Sequence, residues 1–314
     1  MPQTSLFHKF LGASILRLSV FKVAALFCLT TSLILVCLSP TPAQINPVVP
    51  NPRVSALQEI TVTPPNPQLG ATIAVVVNSA QVPTIKFADK PYPAFRYGTN
   101  LWRSLIPTTP LDTPGVKNLT ISVGTEIKTI STVLGDRDFP TQRIRLPARD
   151  EDAPLDEYEF DRVDEFKALI TPEKHWQGAL LRPTSGDLTS GYGVRRYYNG
   201  VFAEDYFHRG LDYGAGVGTP VIAPAAGRIA LIGRADQRFN IHGNVVGIDH
   251  GQGLLSIMLH LSRIDVREGD FVQAGQAIAR SGATGAVTGP HLHWGLFLHG
   301  SAIDPVPWRE GDFN

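Results

Sequence analysis

The sequence of 314 residues holds only two cysteines, Cys28 and Cys37, and both precede residue 44. Beyond that point there is neither a disulfide framework nor a thiolate ligand, so any metal must be held by nitrogen and oxygen. An excess of one charge is also missing: 28 Lys plus Arg face 28 Asp plus Glu. That balance excludes a nucleic-acid binder that works by neutralising phosphates. Charged residues are only 18% and hydrophobic ones 43%, which excludes a wholly disordered chain. Long apolar runs are scarce too, the uncharged stretch at residues 23–38 being the one that stands out. What is plentiful is turn chemistry, with 25 Pro and 29 Gly favouring short strands over long helices. At roughly 100 to 200 residues per domain, the length suits about two domains.

Residues 1–43 carry Lys9, Arg17 and Lys22 but no acidic residue. As a helix, the run at 23–38 is about 24 Å long, short of the roughly 30 Å hydrocarbon core. Ser39 and Pro40 end it, and Thr41-Pro42-Ala43 offers the small residues that a signal peptidase reads. The segment therefore reads as a signal peptide cleaved after Ala43, which places the remainder in the periplasm or outside the cell. The rival is an uncleaved anchor, counted back to Leu18 past a snorkelling Lys22. Either way, this segment is the expected membrane contact. Ile34-Leu35-Val36 puts no small residue before Cys37, so Cys37 reads as membrane-segment packing and not a lipidation site.

The rest reads as mainly β. Residues 44–57 are a flexible lead-in rich in Pro and Asn. Residues 58–149 predict a β-sandwich: Ile60 and Val62 alternate with Thr, residues 72–77 are a β-branched run, and Leu119, Ile121 and Val123 alternate, as do Ile144 and Leu146. Trp102 is expected in its core. Residues 150–187 form an acidic connector, where Leu155, Tyr158, Val163, Phe166 and Ile170 predict an amphipathic helix opened by Pro154. Its acidity reads as a solvated face. Residues 188–308 return to glycine-rich strands, and 309–314 are a tail.

Of the nine histidines, His208, His242, His250, His260, His291, His293 and His299 fall in this last region. His291 and His293 are two apart, so on a strand they share a face. If His208-Arg209-Gly210-Leu211-Asp212 bends past that face, His208, Asp212 and one later histidine enclose a cation. Two neutral imidazoles and a carboxylate leave room for water, the make-up of a catalytic zinc site. His260 and the other member of the His291/His293 pair remain for proton transfer or oxyanion stabilisation. His175, His242, His250 and His299 read as structural. A mononuclear iron centre is the chemical rival, but oxygenases of that type resemble a His-x-Asp pair, which this spacing does not match.

Phe207-His208-Arg209-Gly210-Leu211-Asp212-Tyr213, Gly218-Thr219-Pro220-Val221, Leu259-His260-Leu261-Ser262 and Thr288-Gly289-Pro290-His291-Leu292-His293-Trp294-Gly295 together resemble the lysostaphin-type zinc endopeptidases, which cut peptide cross-bridges in peptidoglycan. The likeness covers residues 190–308. The upstream sandwich and Gly191-Tyr192-Gly193-Val194-Arg195-Arg196 are similar to members with an N-terminal immunoglobulin-like domain. The resemblance implies an antiparallel β-sheet metallopeptidase domain holding one Zn2+ per chain through His208, Asp212 and His293, with His260 and His291 as non-ligand catalytic histidines. Met258 departs from the tyrosine that relatives often carry there. The function so implied is a secreted zinc metalloendopeptidase acting on peptidoglycan peptides. Its alternative is a catalytically silent wall-binding activator of other hydrolases, since many relatives have lost metal ligands; here every ligand position is filled.

Overall fold

A computed structural model describes residues 57, 59–145 and 157–313. All of them belong to one compact unit, Ala56–Asn314. The signal segment, most of the lead-in, Leu146, Pro154 and Leu155 lie outside the described residues. Among the described residues, no helix is long and apolar enough to cross a membrane.

The first half holds β1 (Glu59–Thr63), β2 (Thr72–Asn78), β3 (Thr84–Phe87), β4 (Lys90–Tyr92), β5 (Phe95–Gly98), β6 (Leu101–Pro107), β7 (Gly115–Val123) and β8 (Glu126–Leu134). They form two antiparallel four-stranded sheets, ordered β1-β2-β6-β5 and β4-β3-β7-β8. Alternation along β2 sends Ile73, Val75 and Val77 into a core shared with Ile85, Phe87, Leu119 and Ile121 of the facing sheet. Ala74 and Leu105 on the opposite face pack instead into the core of the second half. β6 is therefore covered on both sides and buried almost throughout, polar Arg103 and Ser104 included, so it lacks the period-two alternation that marks the other strands in the sequence. Trp102 is buried and donates its indole N–H to the Ser79 carbonyl.

Two expectations need correction. The strand around Ile144 is β9 (Thr141–Ile144), and it leaves the sandwich to pair in parallel with β11 (Arg195–Tyr198). Among the described residues, the connector helix α1 covers Glu157–Lys167. It buries Val163 and Phe166, but Tyr158 is 39% exposed and Ile170, beyond the helix end, is 48% exposed. The phenyl ring of Phe166 fills the space over Gly247, which any Cβ there would contest at 2.8 Å.

The second half is one antiparallel sheet around β10 (Asp187–Ser190), β13 (Leu211–Gly214), β20 (Leu292–Leu298), β17 (Leu254–Ile264), β16 (Asn244–Gly251), β15 (Gly227–Gly233) and β18 (Phe271–Val272), hydrogen-bonded in that order. β12 (Val201–Phe202) completes a hairpin with β11; β14 (Pro220–Ile222) pairs with β19 (Ala277–Ser281), and β21 (Ser301–Ile303) with β20. Asp304 caps α2 (Pro305–Glu310) by accepting from the Val306 N–H, and also pairs with Arg137 of the first half at 3.0 Å.

A polar chain crosses this core. Trp294 donates Nε1–H to Ser256 Oγ, the Ser256 hydroxyl donates to His250 Nε2, and His250 Nδ1–H donates to the Ala226 carbonyl. Burial pushes the His250 pKa down to about 4, against the opposing pull of the Ala226 carbonyl and Asp249. The unfolded chain takes up this proton near 6.5 and the folded chain only near 4. Stability present above pH 6.5 is thus lost as pH falls toward 4, by on the order of 3 kcal/mol from this group. In thermal melts between those pH values, His250→Gln should show a shallower decline of Tm than the wild type.

Candidate metal centre

Asp212 on β13 stands directly opposite His293 on β20. Directly opposed residues of an antiparallel pair share one face of the sheet. This register brings Asp212 Oδ1 within 2.8 Å of His293 Nδ1. Close approach is possible because Gly210 lies against the Trp294 carbonyl, where an added Cβ would sit at 2.3 Å. His208 enters from the loop before β13, its backbone paired with Gly193 and Val194. Its Nδ1–H donates to the Gly191 carbonyl at 2.6 Å, so Nε2 carries the lone pair and faces inward. Nε2 lies 3.1 Å from His293 Nδ1 and 3.0 Å from Asp212 Oδ1.

These three donor atoms fit a cation. Ligands 2.0–2.1 Å from zinc at tetrahedral angles stand about 3.3 Å apart, close to the separations found here. The His208 Nδ1–H is already committed to a carbonyl, so the Nε2 that it turns toward Asp212 and His293 is available as a ligand atom. Burial would raise the Asp212 pKa, but the close polar contacts with His208 and His293 outweigh it and hold the carboxyl well below the usual carboxylate range. Burial pushes His293 down to about 4 despite Asp212. An ionised carboxylate and neutral imidazoles are the forms that bind a divalent ion. Among the described residues, His208, Asp212 and His293 are the group of three with metal-ligating geometry.

His260 and His291 flank this triad. Their rings are 4.9 Å apart, and His260 is 6.5 Å from His293. His260 sits in β17 but has φ +63, a left-handed conformation that ordinary residues rarely adopt. It lies among register shifts of β17 against its neighbours. A bulge of this kind re-aims a side chain, and here His260 Nδ1–H reaches the Thr284 carbonyl at 3.0 Å. His291 Nδ1–H donates to the Gly289 carbonyl, and its Nε2 is 4.0 Å from Asp212 Oδ1. Both rings therefore spend Nδ1–H on a carbonyl and leave Nε2 for other partners. Burial, then the neighbouring His293 and His291, push the His260 pKa down to about 3.

Residues 206–305, which contain all five of these side chains, match the sequence model of peptidase family M23. The chain carries a peptidase family M23 domain. Among its relatives, lysostaphin of Staphylococcus staphylolyticus is 37% identical over 38% of this chain, and the peptidoglycan DD-endopeptidase ShyA of Vibrio cholerae is 39% identical over 32%. The chain spans only 25% and 22% of the length of those two proteins. A crystal structure from Pseudomonas aeruginosa assigned to peptidase M23 is 28% identical, with a TM-score of 0.59 over 80% of this chain and 97% of that one. That overlap extends beyond the M23 domain into the first half.

Several residues around the M23 site escaped sequence reasoning. Arg196 on β11 lies 3.7 Å from Asp212 Oδ2, the oxygen turned away from the triad, and donates to Tyr206 Oη and to Gln142 Oε1 on β9. Thr284 anchors His260, and Glu159 of α1 lies beneath the adjoining loop. Hydrogen bonds across such sequence distances leave no periodic trace; the doubled arginine at 195–196 was the only visible signal. Met258 is fully buried in the core opposite Trp294, so position 258 brings no hydroxyl to the site.

Zinc at one hundred times its Kd should stabilise the protein by about 2.7 kcal/mol, raising Tm by on the order of 5 °C. Differential scanning calorimetry should show that rise in the wild type and its loss in Asp212→Asn and His293→Ala.

Proposed function

We propose that the chain is a secreted zinc metalloendopeptidase that hydrolyses peptide cross-links of peptidoglycan. The observation that carries this reading is the complete donor triad, His208, Asp212 and His293, with two further histidines beside it whose Nδ1–H groups are held by carbonyls and whose Nε2 atoms are left for the reaction. The names of the relatives, lysostaphin and a peptidoglycan DD-endopeptidase, support the substrate class. The basic, then uncharged, segment ending at Ala43 supports secretion to the periplasm or beyond.

When bound, zinc supplies a water of lowered pKa and polarises the scissile carbonyl. The protein residues supply the proton handling. His260 is held by Thr284 with its unprotonated Nε2 free, so it can only accept a proton there. His291, held by Gly289, presents its Nε2 from the side nearest Asp212. One of the two takes the proton of the attacking water on its Nε2 and passes it to the departing amine; the other supports the carbonyl oxygen as charge builds on it only when its Nε2 carries a proton to donate. Arg196 adds positive charge on the far side of Asp212, which orients that carboxylate.

A silent, wall-binding activator is the other reading, and the full set of donors argues against it. Zinc-loaded protein lacking residues 1–43, incubated with purified sacculi, should release peptides identifiable by mass spectrometry. His260→Ala should retain one zinc per chain yet lose roughly 10²-fold or more in release rate, whereas His293→Ala should lose both. Release of nothing by the zinc-loaded wild type would refute hydrolysis.

A further inference from the structure

The connector helix looks acidic and solvent-facing, yet Glu159 on α1 is only 1% exposed. Its carboxylate accepts from the Ile241 N–H at 3.0 and 3.1 Å, from the His242 N–H at 3.2 Å, and from His242 Nδ1–H at 2.7 Å. Burial opposes its ionisation, but these bonds outweigh burial and lower its pKa. A desolvated carboxylate satisfied by this many donors is a rigid anchor.

What it anchors leads to the site. The His242 carbonyl accepts the backbone N–H of His260 at 3.1 Å, and the Ile241 carbonyl accepts that of Ala286 at 2.9 Å. Thr284, whose carbonyl holds the His260 ring, is tied to the same loop, since its Oγ accepts from the Asn244 N–H and its hydroxyl donates to the Leu261 carbonyl. Gly285, at φ +78, packs directly against Gly243 and Ile241, with no room for a side chain. Both hydrogen bonds that hold His260, one to its backbone and one to its ring, thus run through the wall that Glu159 fastens.

We propose that Glu159 is a positioning residue for His260: through His242 and the 239–243 loop, it holds the imidazole in its left-handed backbone setting beside the metal triad. The proposal rests on the reading of His260 as a proton-transfer group, and it gives the connector, which lies outside residues 206–305, a part in the site. The metal ligands stand on other elements, so the proposal separates proton handling from metal binding.

The test compares Glu159→Gln, which keeps the shape but sets an N–H against the loop donors, with Val163→Ala, which loosens the same helix without touching the loop. Hydrogen–deuterium exchange of the full secreted chain should show faster exchange at the His260 amide in Glu159→Gln and no change in Val163→Ala. With a soluble cross-linked muropeptide, Glu159→Gln should lower kcat about 10-fold with KM changed less than 2-fold and one zinc retained per chain; Val163→Ala should keep kcat. His242→Ala, which removes one of the donors, should fall between Glu159→Gln and the wild type. Unchanged exchange at His260 in Glu159→Gln, or equal losses of kcat in Glu159→Gln and Val163→Ala, would overturn the proposal. Inactivity of the wild type would refute the peptidase reading instead and leave the exchange measurement to decide the positioning.

Discussion

The site depends on the pairing of β13 with β20. Because Asp212 is registered against His293, a carboxylate and an imidazole meet on one face, and His208 needs only to arrive from the preceding loop. A slip of one residue would turn both side chains to the opposite face. The register is fixed from the other face, where Leu211, Tyr213, Leu292 and Trp294 are buried to within 1%. Burying four such side chains is worth roughly 1.5–3 kcal/mol each. Trp294 is further pinned through Ser256 to His250. The apolar core and the buried polar chain thus act as the ruler that spaces the donors.

Much of this was legible in the sequence because strand periodicity is short-range information. His291-Leu292-His293 places two histidines on one face and a leucine on the other, and the structure does bury Leu292 completely. The mainly β architecture, with facing sheets upstream and an antiparallel sheet downstream, follows from the same alternation and from the density of turn residues. Elements covered on both faces, such as β6, have no alternation to read. β9 was legible as a strand but not as a partner of β11, since its neighbour lies more than fifty residues away. His260 was visible as a residue, but its orientation arises from a positive φ that no composition rule assigns to a histidine.

Around the donors lies a second layer drawn from outside residues 206–305. Arg196 faces the outer oxygen of Asp212 and is reached by Gln142 of β9, so a strand that emerges from the sandwich is built into the surroundings of the site. Glu159 does the same from the connector. Outer partners of this kind orient ligands and reacting groups and commonly change affinity or activity 10- to 100-fold. The first half and the connector are therefore continuous with the site's architecture, consistent with one compact unit over Ala56–Asn314.

We propose that His208 Nε2, Asp212 Oδ1 and His293 Nδ1 hold one zinc ion and leave a position open for water. Zinc-edge X-ray absorption of the loaded protein tests it directly. The expected spectrum shows four nitrogen or oxygen neighbours at about 2.0–2.1 Å, two of them with the multiple-scattering signature of imidazole, and no sulfur near 2.3 Å. Three or more imidazoles, or a six-coordinate shell of oxygens, would contradict it.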